Sequence, residues 1–303
     1  MTLRHSGRIL VILFSLTLIA FSAWRVAKGW CFPQATFGEF DGQKALQDVQ
    51  HQTSLGPRIP GSLAHDQIVE WIRSELESAG WQANVQTSVA MGHPIRNIVA
   101  HRTYQPPQII LAAHYDSRLV ADRDADPGKR ADPVPGANDG ASGVAVLLEL
   151  ARKLPSDTVP VWLVFFDAED NGGLSGWNWI LGSRAFVAEL KYRPQAVVVV
   201  DMVGDADLNI HIERTSDPQL TFEIWAQAAA LGYENFFIPI PEYSMLDDHT
   251  PFLEAGIPAA LLIDFDYPYW HTTADTADKV SAQSLKAVGE TLLAWVIGQK
   301  GSP

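Results

Sequence analysis

The apolar and polar positions of the chain first follow the period of a helix and then the period of strands. Residues 61–80 carry apolar side chains at the spacing of a helix, whereas 83–90 and 95–102 alternate in the manner of strands. Continuous apolar runs, typical of strands buried on both faces of a sheet, come next. They occupy 108–116, 159–166, 196–203 and 257–265.

Helical patterns separate these buried strands and follow the last of them. The predicted helices are 140–154, 183–190, 218–232, 249–256 and 281–298. Strands that alternate with helices form a sheet that is covered on both faces. The sequence therefore predicts an α/β fold, a three-layer αβα sandwich with a mostly parallel mixed central sheet, in which 43–303 form a single domain.

The first residues carry a different pattern. Arg4 and Arg8 precede an uncharged apolar run over 9–24, which is typical of a signal peptide or a signal anchor. A buried core helix is the alternative. We expect a signal anchor or transmembrane segment over 1–30 and a linker over 31–42. The domain would then be anchored to the membrane outside the cytoplasm, or secreted if the segment is cleaved.

Composition narrows the classes of function. Hydrophobic residues make up 47% of the 303 residues, which is enough for a sizeable core. The net charge is −13 and no basic stripe occurs, which argues against a nucleic-acid partner. The one cysteine, Cys31, excludes an internal disulfide and a site with several thiolate ligands.

Polar side chains gather where the buried strands end. In a parallel sheet these carboxyl ends meet at one edge, where ligands bind. The side chains that separate segments bring to this edge are His114, Asp116, Asp139, Asp167, Glu169, Asp170, Asp201, Trp270 and His271. Carboxylates packed this closely repel one another unless a cation lies between them. Because Asp, Glu and His without Cys suit a catalytic zinc or a similar divalent ion, the sequence predicts a metal site.

Several of these residues also have a structural interpretation. His114 is a candidate for a core histidine at a strand end, and Asp139 for the N-cap of the next helix. Glu169 and Asp170 suit a solvated loop, as do the acidic residues of 117–138. If the chain stays extended at 169 and 170, adjacent side chains point in opposite directions, so that Asp170 faces a metal and Glu169 a substrate.

Six motifs carry a resemblance to a known family. They are HYDSR (114–118), GANDGASGVAVLLELAR (136–152), FFDAED (165–170), DMVGD (201–205), LDDHTPFLEAGIP (246–258) and WHTTADT (270–276). In this order they resemble the motif series of the zinc aminopeptidases with an α/β exopeptidase fold, and more closely that of the glutaminyl-peptide cyclotransferases. The resemblance runs from about residue 55 to the end of the chain. It implies a zinc-dependent catalytic domain that acts on peptide N-termini.

The aminopeptidase pattern implies two zinc ions that share Asp139, with Glu169 as general base and a cis peptide between Asp139 and Gly140. The remaining ligands would be Asp170 and His271 on one ion, and His114 and Asp201 on the other. In the cyclotransferase pattern a single zinc is held by Asp139, Asp170 and His271. Asp170 stands where that family usually has glutamate, and aspartate is also a normal zinc ligand.

The cyclotransferase pattern assigns the other residues to the substrate. Glu169 carries the proton, Asp201 assists it, Asp248 orients the substrate and Trp270 lines the pocket. Residues 170–184 resemble an insert of the cyclotransferases, since the aminopeptidase pattern has only a few residues there. This insert contains Trp177 and Trp179, which suit packing as well as a pocket.

The resemblance leaves the reaction open. A cyclotransferase converts an N-terminal glutamine to pyroglutamate with release of ammonia, whereas an aminopeptidase hydrolyses the first peptide bond. The insert at 170–184, Trp270 beside His271 and the paired acids within 246–253 favour the cyclotransferase. A third hypothesis is a binding module that has lost its metals, as in the transferrin-receptor ectodomain. Every ligand and base position holds a competent residue, which argues against this third hypothesis.

Overall fold

The structure, a computed structural model, describes residues 39–299. The predicted anchor over 1–30 and Cys31 lie outside the described residues. Within 39–299, none of the helices combines the length and the apolar character needed to cross a bilayer.

The described residues form seven α-helices and eight strands. The helices are α1 Gly42–Ser54, α2 Leu63–Ser78, α3 Ala141–Lys153, α4 Leu181–Glu189, α5 Pro218–Ala230, α6 Thr250–Glu254 and α7 Ala282–Gly298. The strands are β1 Gln82–Ala90, β2 His93–His101, β3 Ile109–His114, β4 Val161–Phe166, β5 Ala196–Asp201, β6 Ile210–Ile212, β7 Phe237–Pro241 and β8 Ala259–Ile263.

A six-stranded sheet forms the centre of the fold, in the order β1-β2-β4-β3-β5-β8. Strand β3 pairs in parallel with both β4 and β5, and β5 pairs in parallel with β8. The pairs β1–β2 and β2–β4 are antiparallel. The mostly parallel mixed sheet is therefore confirmed. Strands β6 and β7 form a separate two-stranded sheet.

Neighbouring residues of the central strands belong to different apolar clusters. Ile110 shares a cluster with Phe186 of α4 and Phe252 of α6, whereas Leu111 shares one with residues of α1, α2, α3, α5 and α7. Consecutive side chains of a strand point to opposite faces, so each cluster covers one face of the sheet. The three-layer αβα sandwich is confirmed.

The end of the predicted linker over 31–42 belongs to the folded unit, which begins at Glu39. Phe40 is buried, and it packs so closely on α7 that a Cβ at Gly289 would lie 2.1 Å from its ring. Asp41 then caps α1 by accepting a hydrogen bond from the N–H of Lys44 at 3.0 Å. The last residues of this segment are therefore part of the folded unit, in which Phe40 is buried.

The sequence did not predict three elements of the structure, namely α1, β6 and β7. Helix α1 buries the polar residues Asp48 and Gln52 beside its apolar ones, which weakens its apolar periodicity. Strands β6 and β7 have only three and five residues, too few to show a period. None of the three elements contributes a side chain to the predicted site.

Candidate metal centre

The strand order brings the predicted site residues to one edge of the sheet. His114 is the last residue of β3 and pairs with Phe166, the last residue of β4. Asp201 ends β5, on the other side of β3. Because these three strands are parallel neighbours, the residues that end or follow them meet at the same edge. We call this edge, with the loops that follow the strands, the rim.

Asp139, Asp170 and His271 form a first group of possible metal ligands. Nε2 of His271 lies 2.8 Å from Oδ1 of Asp170 and 3.7 Å from Oδ2 of Asp139. One donor atom from each residue lies within 4.8 Å of the others, and all three residues are buried. The structure thus brings together the three residues that both family patterns assign to one zinc ion.

Asp139 also belongs to a second group, with His114 and Asp201. Nε2 of His114 lies 3.1 Å from Oδ1 of Asp139 and 3.1 Å from Oδ1 of Asp201. Although burial alone would raise it, the hydrogen bond and the charge of His114 hold the pKa of Asp139 below its usual value. The five predicted ligands therefore lie in two adjacent groups that share one carboxylate.

The chemistry of the first group fits a dication such as zinc. Oδ2 of Asp139 and Oδ2 of Asp170 are buried, and neither has a hydrogen-bond partner among the described residues. Burial raises the pKa of Asp170 to about 6, and the charge of Asp139 adds to this rise. A cation held by carboxylate and imidazole ligands would satisfy these oxygens, whose burial without a partner is costly.

The backbone around Asp139 excludes the N-cap interpretation of this residue. Helix α3 begins after Gly140, and no side chain caps its first N–H groups. The Asp139–Gly140 peptide is cis, as the aminopeptidase resemblance implies. A Cβ at Gly140 would lie 2.5 Å from the His114 ring, so only glycine fits there. Asp275 accepts hydrogen bonds from the N–H groups of Asn138 and Asp139, at 2.8 and 3.3 Å.

Glu169 and Asp170 lie in the turn that follows the strand, so the condition that the chain stays extended there is not met. Strand β4 ends at Phe166, and Ala168 has a φ of +52°. The N–H groups of Glu169 and Asp170 donate to the buried carboxylate of Asp116, at 3.0 and 3.3 Å. The turn still separates the two acids, because Asp170 joins a ligand group and Glu169 lies on a cavity wall outside both groups. Burial raises the pKa of Glu169 well above its usual value.

A cavity of about 200 Å³ lies beside the ligand groups. The carboxylates on its wall belong to Asp139, Glu169, Asp170, Asp201 and Asp247. Trp179, Phe265 and Trp270 form an aromatic wall. Trp179 stacks on His271 with ring centroids 5.9 Å apart, and Trp270 stacks on the same ring at 3.8 Å. Of the two tryptophans of the insert, Trp179 thus faces the cavity, whereas Trp177 stacks on His93.

Asp247, rather than Asp248, is the acid of the LDDH segment that lines the cavity. Asp248 is fully buried and lies outside the cavity wall. Burial raises the pKa of Asp247 to about 7, and the charge of Asp201 adds to this rise. The structure thus places Asp247 where the motif predicted Asp248. Spacing alone cannot distinguish two adjacent acids, because a local change of backbone direction exchanges their positions.

A buried carboxylate outside the cavity holds the loop that carries Asp247. Glu213 accepts hydrogen bonds from the N–H of Met245 at 3.0 Å and from four N–H and O–H groups of residues 215–216. Although burial alone would raise it, hydrogen bonds, first that of His249, lower the pKa of Glu213 to about 2. Sequence reasoning missed Glu213, which carries no motif signal.

Comparison with known proteins defines the class of the molecule. The model of peptidase family M28 matches residues 97–296, which is well over half of the chain. The chain therefore belongs to peptidase family M28.

Relatives with both candidate activities are similar to this chain. A glutaminyl cyclase from Tannerella forsythia superposes with a TM-score of 0.81 at 32% identity, covering 86% of this chain and 100% of that one. A Zn-dependent exopeptidase from Parabacteroides distasonis superposes with a TM-score of 0.83 at 29% identity, covering 87% of this chain and 100% of that one. Aminopeptidase YwaD of Bacillus subtilis is 28% identical over 295 residues, which cover 88% of this chain and 59% of the relative. These similarities support an enzyme family and do not select one reaction.

Proposed function

We propose that the protein is a zinc-dependent glutaminyl-peptide cyclotransferase. The observation that carries this proposal is the cavity, where one ligand group, three further carboxylates and an aromatic wall enclose about 200 Å³. That volume lies below the roughly 300–1,000 Å³ of most ligand clefts and suits a single terminal residue. The similarity to two solved glutaminyl cyclases, at 32% and 34% identity, supports the same reaction.

In this proposal Asp139, Asp170 and His271 would hold the zinc ion. When bound, zinc supplies a Lewis acid that polarises the γ-amide carbonyl of the glutamine. Glu169 moves the proton, because it lies outside the ligand groups and burial raises its pKa above the usual value of a glutamate. It takes a proton from the α-amine that attacks the γ-carbon and gives it to the departing amide nitrogen. One C–N bond closes the ring, another breaks, and ammonia leaves.

Asp201 and Asp247 have a complementary role in this proposal. Both carboxylates line the cavity, and burial raises the pKa of each. We assign to them the hydrogen bonds that hold the substrate α-amine close to Glu169. The aromatic wall excludes water, which would otherwise compete with the amine as nucleophile.

A metalloaminopeptidase is the second candidate, because His114, Asp139 and Asp201 offer donors for a second ion. Glu169 would then take a proton from the water that attacks the first peptide bond. The similarity to aminopeptidase YwaD supports this alternative.

Two peptides that differ only in their first residue distinguish these reactions. The zinc-loaded protein is incubated with a peptide that begins with Gln and with its counterpart that begins with Leu, and mass spectrometry follows both. We expect the first peptide to lose one ammonia and the second to stay intact. The Gln peptide with an acetylated α-amine is the control, since its blocked nitrogen cannot attack.

The other outcomes each contradict the proposal in a different way. Release of free Leu would replace the cyclotransferase by the aminopeptidase. Absence of both products, from protein that retains zinc, would favour the binding module.

We further propose that 1–30 anchor the protein to a membrane with the catalytic unit outside the cytoplasm. The proposal rests on the basic start and the uncharged run over 9–24. Cell fractionation with an alkaline wash should leave the full-length chain in the membrane pellet. A full-length chain in the soluble fraction would contradict the anchor, and a shortened chain there would show cleavage.

A further inference from the structure

Arg118 lies next to the metal centre, and its side chain is only 3% exposed. Its Nη1 donates to the carbonyl oxygens of Asp170 at 2.6 Å and of Gly172 at 3.3 Å. Its Nε and Nη2 donate to the two carboxylate oxygens of Asp122, at 2.9 and 2.8 Å. One guanidinium thus binds the backbone of a predicted ligand and a carboxylate of the acidic loop at 117–138.

Asp122 faces the distal ring nitrogen of a predicted ligand. Its Oδ1 lies 3.5 Å from Nδ1 of His271, whereas Nε2 of the same ring faces Asp139 and Asp170. A carboxylate beside the distal nitrogen fixes the orientation and the tautomer of a ligating imidazole. The loop at 117–138, expected to be solvated, therefore supplies a residue to the rim.

The same guanidinium also contacts the aromatic wall. The central carbon of Arg118 lies 5.0 Å from a ring centroid of Trp179, a distance at which cation and ring attract each other. Trp179 packs on Gly172 so closely that a Cβ there would lie 2.0 Å from the indole. Arg118 therefore contacts both the backbone and the tryptophan of the insert.

We propose that Arg118 and Asp122 are positioning residues that hold His271 and Trp179 in the arrangement that binds zinc and closes the cavity. The inference rests on the proposed zinc centre, and it holds for either reaction. Lysine cannot replace Arg118, because an ammonium group is a point charge. It cannot bind both oxygens of a carboxylate, two carbonyl oxygens and an aromatic face at once.

Two variants of the full-length protein test this proposal, Asp122→Asn and Arg118→Lys. Competition with a chromophoric chelator measures zinc affinity, and steady-state kinetics gives kcat and KM separately. We expect Asp122→Asn to weaken zinc binding about 10- to 100-fold, the range for loss of a partner of a ligating histidine. Arg118→Lys should weaken zinc binding similarly and also raise KM, because Trp179 loses its guanidinium contact. The double variant should lose less than the product of the two single losses, since both act on His271.

Asp126→Asn is the matched control in the same loop. Its carboxylate accepts a hydrogen bond from the N–H of Gly128 at 2.9 Å within a local turn, and asparagine preserves such a bond. Its zinc affinity should equal that of the parent. Equal losses in Asp126→Asn and Asp122→Asn would overturn the proposal, because the effect would then belong to the net charge of the loop.

The remaining outcomes separate this inference from the zinc centre itself. Zinc affinity of Asp122→Asn indistinguishable from that of a zinc-binding parent would overturn the positioning role. A parent protein that binds no zinc would overturn the zinc centre instead. Asp122 is 40% exposed, so Asp122→Asn is the variant that decides if Arg118→Lys fails to fold.

Discussion

Two clusters of buried acids in this molecule have opposite electrostatic surroundings. Between α1, α2 and α3, Arg152 pairs with Asp48 at 2.6 Å, Glu75 at 2.6 Å and Glu149 at 3.0 Å. Although burial alone would lower it, the hydrogen bonds and charges of these acids raise the pKa of Arg152. Two lysines pair with the same acids. We call this the helix cluster.

At the rim, acids outnumber the protein cations that face them. The ion-pair partners of the predicted metal-binding aspartates are His114 and His271 among the described residues. In the same part of the chain, Glu169 and Asp247 form no ion pair, and Arg118 directs its side-chain ion pair to Asp122. The acids of the helix cluster all have a protein cation, whereas the rim has more carboxylates than cations among the described residues. The balance of charges around buried acids, rather than their number, therefore marks the functional site.

We expect the largest effect, a loss of turnover, from a change of Glu169, the rim acid that does not bind zinc in our proposal. Glu169→Gln keeps the shape of the side chain but cannot exchange a proton, so we expect turnover to fall about 10²- to 10⁴-fold. Zinc content should stay as in the parent, because Glu169 lies outside both ligand groups. Kinetics with the active peptide and metal analysis after dialysis check both points. Loss of zinc together with activity would contradict the role of proton carrier.

Removal of the cation from the helix cluster should destabilise the fold. Arg152→Met removes the cation that three acids share and leaves Asp48 and Glu149 with one lysine each. We expect the free energy of unfolding to fall by about 2–3 kcal/mol, less than for a buried carboxylate left with no partner. Urea unfolding measures the change. Arg73→Met removes an exposed arginine that pairs with Glu70 in α2, and this control should cost less than about 1 kcal/mol. Equal losses in the two variants would show that the shared cation does not hold the helix cluster together.

The metal-free rim should make stability fall as pH rises. Burial raises the pKa of Asp247 and that of Asp275 to about 7 each, above the values near 4 of unfolded chains. Between about pH 4 and pH 7 the folded state then binds more protons than the unfolded state, so the free energy of unfolding decreases.

Thermal melting of chelator-treated protein measures this dependence. The midpoint should be about 5 °C lower at about pH 8 than at about pH 6, which corresponds to roughly 2 kcal/mol for a domain of this size. Added zinc should stabilise more at the higher pH, because its ligands must be deprotonated. A midpoint of the metal-free protein that rises with pH would contradict the raised pKa values.

The smallest effect should be opposite in sign for two buried acids, Asp248 next to the cavity-lining Asp247 and Asp48 in the helix cluster. Burial, with the charge of Asp247 adding, raises the pKa of Asp248 well above its usual value, and the Ser183 hydroxyl offsets only part of this. Asp248→Asn should therefore stabilise the metal-free protein by about 1 kcal/mol near pH 8. Asp48→Asn, at an acid that pairs with Arg152, should destabilise it under the same conditions. Destabilisation by both changes would remove the contrast between the two acids.

The parts of the fold and site that follow from strand order were predictable from the sequence. Buried parallel strands are continuous apolar runs, so β3, β4, β5 and β8 and the residues at their ends could be located. Parallel pairing then implies that His114, Asp170 and Asp201 meet at one edge.

The parts that depend on loop conformation were not predictable. The choice between Asp247 and Asp248 depends on a loop held by Glu213, and no sequence period reports such a contact. Asp122 lies between His271 and the buried guanidinium of Arg118, and Arg118 carries no signal of burial in the sequence. Helix α1 shows the same limit, since polar side chains occupy its buried face.

Gly140 matters for judging distant relatives of this protein. A methyl group at that position would occupy the space of the His114 ring. In a relative with alanine at this position the methyl group would displace the imidazole of His114, although every ligand residue would still be present in the sequence. An inventory of ligands would still classify such a relative as a working enzyme. In this fold the metal site therefore depends on the absence of a Cβ at position 140 as much as on the presence of the ligand side chains.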